Sequence, residues 1–569
     1  MTLTEKTYAA PLLVLDAEGG ALVGHRPDVQ RVDVPADVVD LATAAEWAVA
    51  YGLGAARLSQ FGEESGPLLV LTEGAVEALG LPARLDDRKR LRVSDDHPAV
   101  KAVEEGGWKL SRAGLSPWSF LFRDRVEVHV ATVPWGAFAD HLRWGGVEDV
   151  AADPAALAYV LGQYAERVIT PSGSTAACSL ALMTAVRPPT RLVRDRGTGR
   201  LRRVPVEGSL SQPVDPAPPE APDEHPLAAD RTRDEAKDPA HVLAEEALAW
   251  HREPTEAEAA APYVVGLDVN TAFLAAASRL TVGLGEAAYT DGPRFDKKIP
   301  GSWLVDLSGA ELRTKDLATK EWKTLPAGFP SPFTPDGKAP TGPAWYATPT
   351  LAYAVELGIE VRPIAAWLRP EAGGYLDLWH NRLRDAYMAT LADLGITADM
   401  PEEAYLSAMA TIKERDPEAV ALLSAIKQTA KGGIGKLRER PQGKRAGRNA
   451  PWPALKRPTW RPDIRAAVIS AARVGAHRKM VKTWNALGLV PLAVLSDCVI
   501  YPSAYPTARA VVPRKPDGSP LPGGFRLGPN PGYCKEEGVR PMSWYVETVA
   551  KEANPARFIK EGRDAAREE

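Results

Sequence analysis

Cysteine is nearly absent from this chain: there are three in 569 residues, Cys178, Cys498 and Cys534, widely spaced and without a CxxC pair. That scarcity argues against a disulfide framework or a zinc site and fits a reducing cytoplasm. Long apolar runs are missing too, so no segment is expected to cross a bilayer and no membrane partner is expected. The N-terminal stretch, MTLTEKTYAAPLLVLDAEGG, has no positively charged start followed by an apolar core and a cleavage site. Nor is positive charge in excess: 69 Lys and Arg against 73 Asp and Glu leave a net charge of −4. A general nucleic-acid coat is thereby excluded, and any nucleic-acid contact has to be a local basic patch. No internal repeat is visible.

The composition that is present, 45% apolar and 25% charged, is that of a soluble globular protein. The length exceeds one ordinary core and predicts roughly three or four domains. Fifty-one Pro and 47 Gly predict many turns and at least one linker. Over residues 1–189, strand-like and helix-like segments alternate. Pro11 to Asp16 reads as a buried strand ending in an acid, with Gly66 to Leu71 and Val126 to Ala131 as further strands. Asp153 to Val168 reads as a helix, with Asp153 as N-cap and Pro154 in its first turn. Between residues 190 and 238, Pro, Arg and acids accumulate and apolar periodicity disappears. Such a composition buries too little apolar area to offset chain entropy, so a mobile linker or surface arm is expected there.

Periodicity then returns. Tyr263 to Leu267 is a short apolar strand ending at Asp268, followed by a helix from Phe273 to Leu280. Helices are predicted from Glu371 to Leu394, Pro417 to Arg438 and Ile464 to Leu487. Leu489 to Tyr501 reads as a hairpin with Asp497 at its tip.

Three stretches of this half carry chemistry. Asp268-Val269-Asn270-Thr271-Ala272-Phe273 and Leu495-Ser496-Asp497-Cys498-Val499-Ile500-Tyr501 each offer a carboxylate at a strand end. Two acids brought together by neighbouring strands suit Mg²⁺ (or Mn²⁺), which binds one or two carboxylates plus a substrate's phosphates. The stretch Lys427-Gln428-Thr429-Ala430-Lys431-Gly432-Gly433-Ile434-Gly435-Lys436 places Lys427 and Lys431 four apart on one helix face, able to grip a triphosphate. Its glycines would let a base pair or template approach the backbone. Each stretch also has a plainer reading: Asp268 as a helix cap, Asp497 as a turn residue, the lysines as a solvated face ending in a glycine-rich cap, and Phe273 as core.

On these residues the chain resembles family B DNA polymerases, and most closely the small protein-primed branch of phages with linear genomes. Asp268, Thr271 and Phe273 match the first palm motif, with Leu274 replacing its proline. Lys427, Gly435 and Lys436 match the fingers motif, whereas Lys431, Gly432 and Ile434 depart from it. In the third motif, Ser496, Asp497 and Cys498 fall in register and Leu495 takes the place of its first Asp. A second register puts Val499 at the essential position and predicts a dead enzyme. The resemblance covers about residues 260–545. It implies catalytic acids Asp268 and Asp497, a metal site of Asp268, Asp497 and the Val269 carbonyl, and a nucleotide site of Lys427, Lys431, Gly435 and Lys436. Phe273 would exclude ribonucleotides.

The same resemblance makes the N-terminal region a relic of a proofreading exonuclease. Asp16, Glu18 and Asp153 stand for its metal-binding acids and residues 170–176 for its Ser/Gly turn. The middle exonuclease motif is not visible, so the fold without the activity is expected. Abundant Ala, Arg, Gly and Pro suggest a high-GC actinobacterial source, and the overall pattern is similar to telomere-associated proteins of linear actinobacterial replicons, which work with a terminal protein.

The predicted architecture is therefore α+β and multidomain: an RNase H-like, exonuclease-like domain (1–189), a linker (190–238), a palm with an antiparallel sheet (239–400 and 451–545), helical fingers (401–450), and a tail (546–569) in place of a thumb. Two functions follow from it. One is DNA-templated nucleotidyl transfer from dNTPs at DNA ends, primed by DNA or by protein, in the cytoplasm at the nucleoid. The other is a polymerase fold without catalysis that binds DNA ends, primer-template or single-stranded, and recruits a terminal protein. Arg438, Arg440, Lys444 and Arg445 form the expected DNA-contact patch.

Overall fold

The computed structural model describes residues 7–16, 20–24, 29–85, 91–195, 197–316, 319–441 and 452–560. They form two compact units. The first comprises residues 1–206, 381–395 and 411–436; the second comprises 207–380, 396–410 and 437–569. No helix among the described residues is long and apolar enough to cross a membrane.

The first unit is built on a seven-stranded mixed sheet of β1 (Leu12–Leu15), β2 (Gly20–Gly24), β3 (Val29–Asp33), β4 (Leu68–Leu71), β5 (Lys109–Leu110), β6 (Trp118–Arg123) and β7 (Val126–Thr132). Its order is β3-β2-β1-β4-β7-β6-β5. β1, β2 and β3 pair antiparallel, whereas β1, β4 and β7 run parallel. β1 and β4 share the sequence Leu-Leu-Val-Leu and are buried throughout, as strands covered on both faces must be. The Pro154–Arg167 helix starts where predicted, with the Asp153 carboxylate accepting from the Ala155 and Ala156 amides.

The Pro417–Lys436 helix belongs to this unit and packs on the Pro154–Arg167 and Thr175–Val186 helices. It continues through all three glycines, where a glycine-rich cap was the plainer expectation. Gly432 is there for close packing: a Cβ on it would come within 2.8 Å of the Ala176 Cβ. The expected opening for a template at Gly432 is thus taken by a neighbouring helix.

Residues 190–238 correct the linker expectation. Thr190–Arg194 and Leu201–Pro205 pair as a β-hairpin. Residues 207–238 then form a strap buried within the second unit through Leu210, Val214, Ala217, Ala221 and Ala228. Composition missed this because the strap's small apolar area is joined by a buried ion pair between Glu220 and Arg369, with Nη–Oε distances of 2.7 and 2.6 Å.

The second unit holds a five-stranded antiparallel sheet of Ala249–His251, Ala493–Leu495, Cys498–Ser503, Tyr263–Val269 and Cys534–Pro541, in that order. A four-stranded sheet and the Pro462–Leu487 helix accompany it. Instead of a loose tail, residues 542–560 pack on the larger sheet: Met542, Tyr545, Val549, Ala556 and Ile559 share a core with Val264 and Ile500. Gly266 and Gly538, directly paired, leave room for Ile559.

His477 lies wholly buried on the long helix. Its Nε2 faces the Pro330 carbonyl at 3.0 Å, which can only accept, so Nδ1 accepts from the Tyr353 hydroxyl at 2.7 Å. Burial, helped by Arg478 and Arg473, pushes its pKa down to about 3. The folded value is below the unfolded one, so the unfolded chain binds the proton first and stability falls as pH drops from about 6.5 toward 3. Urea unfolding at pH 6.5 and 5.5 is expected to lose about 1 kcal/mol per pH unit through this group. His477→Gln should show a correspondingly shallower pH dependence.

Candidate functional site: a two-carboxylate centre beside a cationic cavity

The centre lies where the Tyr263–Val269 strand meets the Ala493–Ser503 hairpin. The hairpin turns in two residues, Ser496 and Asp497, with Ser496 in the left-handed region at φ +56°. The Val269 amide donates to the Asp497 carbonyl at 3.0 Å, while Asp268 stands opposite Cys498. Acids more than 200 positions apart in the chain therefore sit at the ends of adjacent strands.

The chain beyond Asp268 is held tightly. Asn270 is buried, its Nδ2 donating to the Gly528 carbonyl (2.7 Å) and the Tyr405 hydroxyl (3.2 Å). Thr271 follows at φ +44°, an uncommon conformation for a β-branched residue, and its buried hydroxyl finds no hydrogen-bond partner among the described residues. Strain of this kind persists where the surroundings over-determine it, as they do between the Asn270 clamp and the helix at Ala272–Ala277.

The Asp268 carboxylate has a partner that the sequence did not disclose. Lys535 on the neighbouring strand reaches it at 3.0 Å and also contacts Glu537, which Lys560 approaches at 2.6 Å. Glu537 is the extra residue of a β-bulge: Gly538 pairs with Gly266 and Glu536 with Leu267. Burial pulls the Lys535 ammonium down, but Asp268 and Glu537 outweigh it and hold its pKa well above the ordinary value. Burial and the charges of Asp268, Glu537 and Asp497 push the Cys498 thiol up, and burial takes Cys534 to about 12. Both cysteines stay protonated at neutral pH and are poor metal ligands.

Beside the hairpin tip lies a cavity of about 500 Å³. Val269, Phe273 and Asp497 line it with the cations Arg279, Lys298 and Lys479. Lys479 donates to the Gly532 carbonyl at 2.6 Å, and burial lowers its pKa. Arg279 and Lys298 are exposed. A half-buried ring, one carboxylate and several cations make a wall suited to a phosphorylated ligand with a flat or sugar moiety.

Asp497, Val269 and Phe273 thus line one cavity, and Asp268 stands on the adjoining strand opposite Cys498 with its carboxylate against Lys535. Lys427 and Lys431 are exposed on the Pro417–Lys436 helix with Gly435 and Lys436, all in the other unit. Arg438 pairs with Glu246 at 3.4 Å and Arg440 with Glu224 at 3.7 Å. Lys444, Arg445 and Glu18 lie outside the described residues. Asp16 ends β1 and accepts from the Thr72 hydroxyl at 3.0 Å, whereas Asp153 caps its helix. Sequence reasoning missed Lys535, Glu537, Arg279, Lys298 and Lys479. The alternation around Lys535 was too short and too charged to announce a strand.

For Mg²⁺, the donor chemistry fits: two carboxylates at one sheet end, of the class that binds hard cations with water and substrate phosphates. Among the described residues no group of three or more His, Cys, Asp or Glu forms a metal site. A metal here would therefore need the substrate to complete its shell.

A family model described as a domain of unknown function (DUF8841) matches residues 13–174. No curated protein sequence matches. Among solved structures, the chain is similar to Phi29 DNA polymerase complexed with primer-template DNA and incoming nucleotide substrates. Identity is 9%, with 93% of this chain and 84% of that chain covered and a TM-score of 0.38. The post-translocation binary complex of that polymerase with primer-template DNA matches at 10% identity, 93% and 83% coverage and a TM-score of 0.35. An orthorhombic crystal form of the same polymerase gives 10%, 93%, 83% and 0.36.

Proposed function

We propose that this protein performs DNA-templated nucleotidyl transfer at the Asp268–Asp497 centre, in the replication of linear DNA ends. The observation that carries the reading is the Val269 amide–Asp497 carbonyl bond, which sets both acids at one end of one sheet. Bound Mg²⁺ or Mn²⁺ would neutralise charge on the attacking hydroxyl and the leaving pyrophosphate. In this reading Asp268 and Asp497 hold the metal, Phe273 stands against the sugar, and the cations of the cavity wall orient phosphates. Lys427 and Lys431 are assigned to the triphosphate, and Arg438, Arg440, Lys444 and Arg445 to DNA. The link to DNA ends and to a terminal protein follows from the overall likeness to telomere-associated proteins of linear replicons, more than from the motifs.

The exonuclease-like reading of the first unit is supported by the order β3-β2-β1-β4-β7, three antiparallel strands followed by parallel ones, which is that of RNase H-like nucleases. Use of Asp153 as a helix cap supports the expectation that nuclease activity is not retained.

A second reading, a polymerase fold kept as an end-binding platform, is favoured by the Asp268–Lys535 ion pair and by Leu495 in place of an acid. Primer extension on a primed template with labelled dNTPs and Mg²⁺ or Mn²⁺ separates them. Incorporation is the expected result. Its absence, with retained binding of DNA ends, would sink the first reading in favour of the second.

A further inference from the structure

The Thr190–Pro205 hairpin is absorbed by neither reading. It is a two-stranded sheet of its own, Thr190–Arg194 against Leu201–Pro205, in register from Thr190–Pro205 to Arg194–Leu201. In a chain of net charge −4, the segment 190–205 contains six arginines, at 191, 194, 196, 200, 202 and 203, against one acid, Asp195; Arg196 lies outside the described residues. Asp195 is used by the turn: it accepts from the Thr198 amide at 2.8 Å, the Gly197 amide at 3.0 Å and the Thr198 hydroxyl at 3.0 Å. Arg202 is 3.9 Å from it and largely exposed.

The two faces differ. Arg191, Val193, Arg202 and Val204 share one face. Val193 and Val204 are partly covered, and the Arg191 guanidinium lies 5.1 Å from the centre of the Phe61 ring. The other face presents Leu192, Arg194, Leu201 and Arg203 in a checkerboard, with both leucines about three-fifths exposed, at 59% and 60%. Concentrated guanidinium charge repels itself, and leucines exposed on this outer face contribute little to a core. A partner that supplies dense negative charge and apolar edges relieves both costs.

We infer that this ribbon is a binding arm for duplex DNA, reading the phosphate backbone with Arg194, Arg200 and Arg203 and laying Leu192 and Leu201 against the groove. Five residues per strand span about 17 Å, a length of duplex that carries about ten phosphate charges. A two-stranded ribbon fits the major groove, about 12 Å wide. Arginine suits the task because its fork meets phosphate oxygens bidentately. The inference is independent of the carboxylate centre. Asp497→Asn should leave ribbon-dependent binding untouched, so the failure of either proposal is recognisable.

The test is fluorescence anisotropy of the full chain with a labelled blunt-ended 24-base-pair duplex across a salt series. A single strand of equal length serves as comparison. The triple variant R194A/R200A/R203A is expected to weaken duplex binding on the order of a hundredfold and to make log K against log salt shallower by about three. The matching triple lysine variant keeps the charge and should retain most of the affinity, which would show that the ribbon tolerates change at these positions. Unchanged affinity and slope in the alanine variant would overturn the inference and point to a protein partner for the ribbon. Loss confined to the single strand, or no duplex binding by the wild type, would overturn it equally.

Discussion

Under the proposed nucleotidyl transfer, Asp497→Asn is expected to reduce primer extension by about a thousandfold while leaving the fold and DNA binding near wild type. The expectation follows from where the residue sits. The hairpin is joined to the Asp268 strand by backbone pairing from Tyr263–Ser503 to Asp268–Cys498 and by the Asp497 carbonyl accepting from Val269, none of which needs the Asp497 side chain. Asparagine keeps the shape of the turn and removes only the charge. That charge is hard to replace: Leu495, at the other end of the turn, is apolar, and Asp268 is already shared with Lys535. A factor of a thousand corresponds to about 4 kcal/mol of lost transition-state stabilisation. Asp268→Asn should be as inactive yet remain folded, because Lys535 retains Glu537 as a counter-charge. Undiminished extension by Asp497→Asn would remove that residue from the chemistry altogether.

Glu220→Ala is expected to cost the second unit about 3–5 kcal/mol, read as a fall in its urea midpoint. The Glu220 side chain is fully buried. It grips both Nη atoms of Arg369, accepts from the Ser302 hydroxyl at 2.7 Å and accepts from the Ala217 amide at 2.8 Å. Arg369 is equally buried; its other counter-charge, Asp463 at 3.3 Å, is shared with Arg461 at 2.5 Å. Burial opposes the Asp463 charge, but Arg369 and Arg461 prevail and bring its pKa to about 2. Removing Glu220 thus leaves two buried guanidiniums with one carboxylate, the case in which a buried ion pair is most costly to break. Glu220→Gln keeps the size and part of the hydrogen bonding and should cost less. The strap at 207–238 should become the first site of limited proteolysis in the alanine variant. A midpoint within experimental error of the wild type would show that apolar packing alone holds the strap.

The centre is partly legible in the sequence. Tyr263 to Leu267 is an apolar run stopped by an acid, and Leu489 to Tyr501 is two apolar runs broken by Ser-Asp; both supply strands of one sheet. The extent of the Pro417–Lys436 helix follows from periodicity to within two residues, and so does that of the Pro462–Leu487 helix. The strap and the tail are not legible in this way. Their apolar residues are few and aperiodic, and what holds them is a partner distant in sequence: Arg369 for Glu220, and the Gly266–Gly538 trough for Ile559.

What the sequence determined by itself was local: which segments extend, which coil, where they stop, and that two acids end up at strand tips. Those outcomes depend on neighbours within a few residues, through backbone hydrogen bonding and the periodicity of side chains. Only the tertiary structure decided that Lys535 pairs with Asp268, that Gly432 serves packing rather than a ligand, and that an arginine-rich stretch is a two-stranded ribbon instead of a linker. The reason is physical. Each of these depends on strand order, on a one-residue bulge that brings Glu537 to Lys535, or on which helix face meets another. Such choices are made by burial and charge compensation across the whole unit.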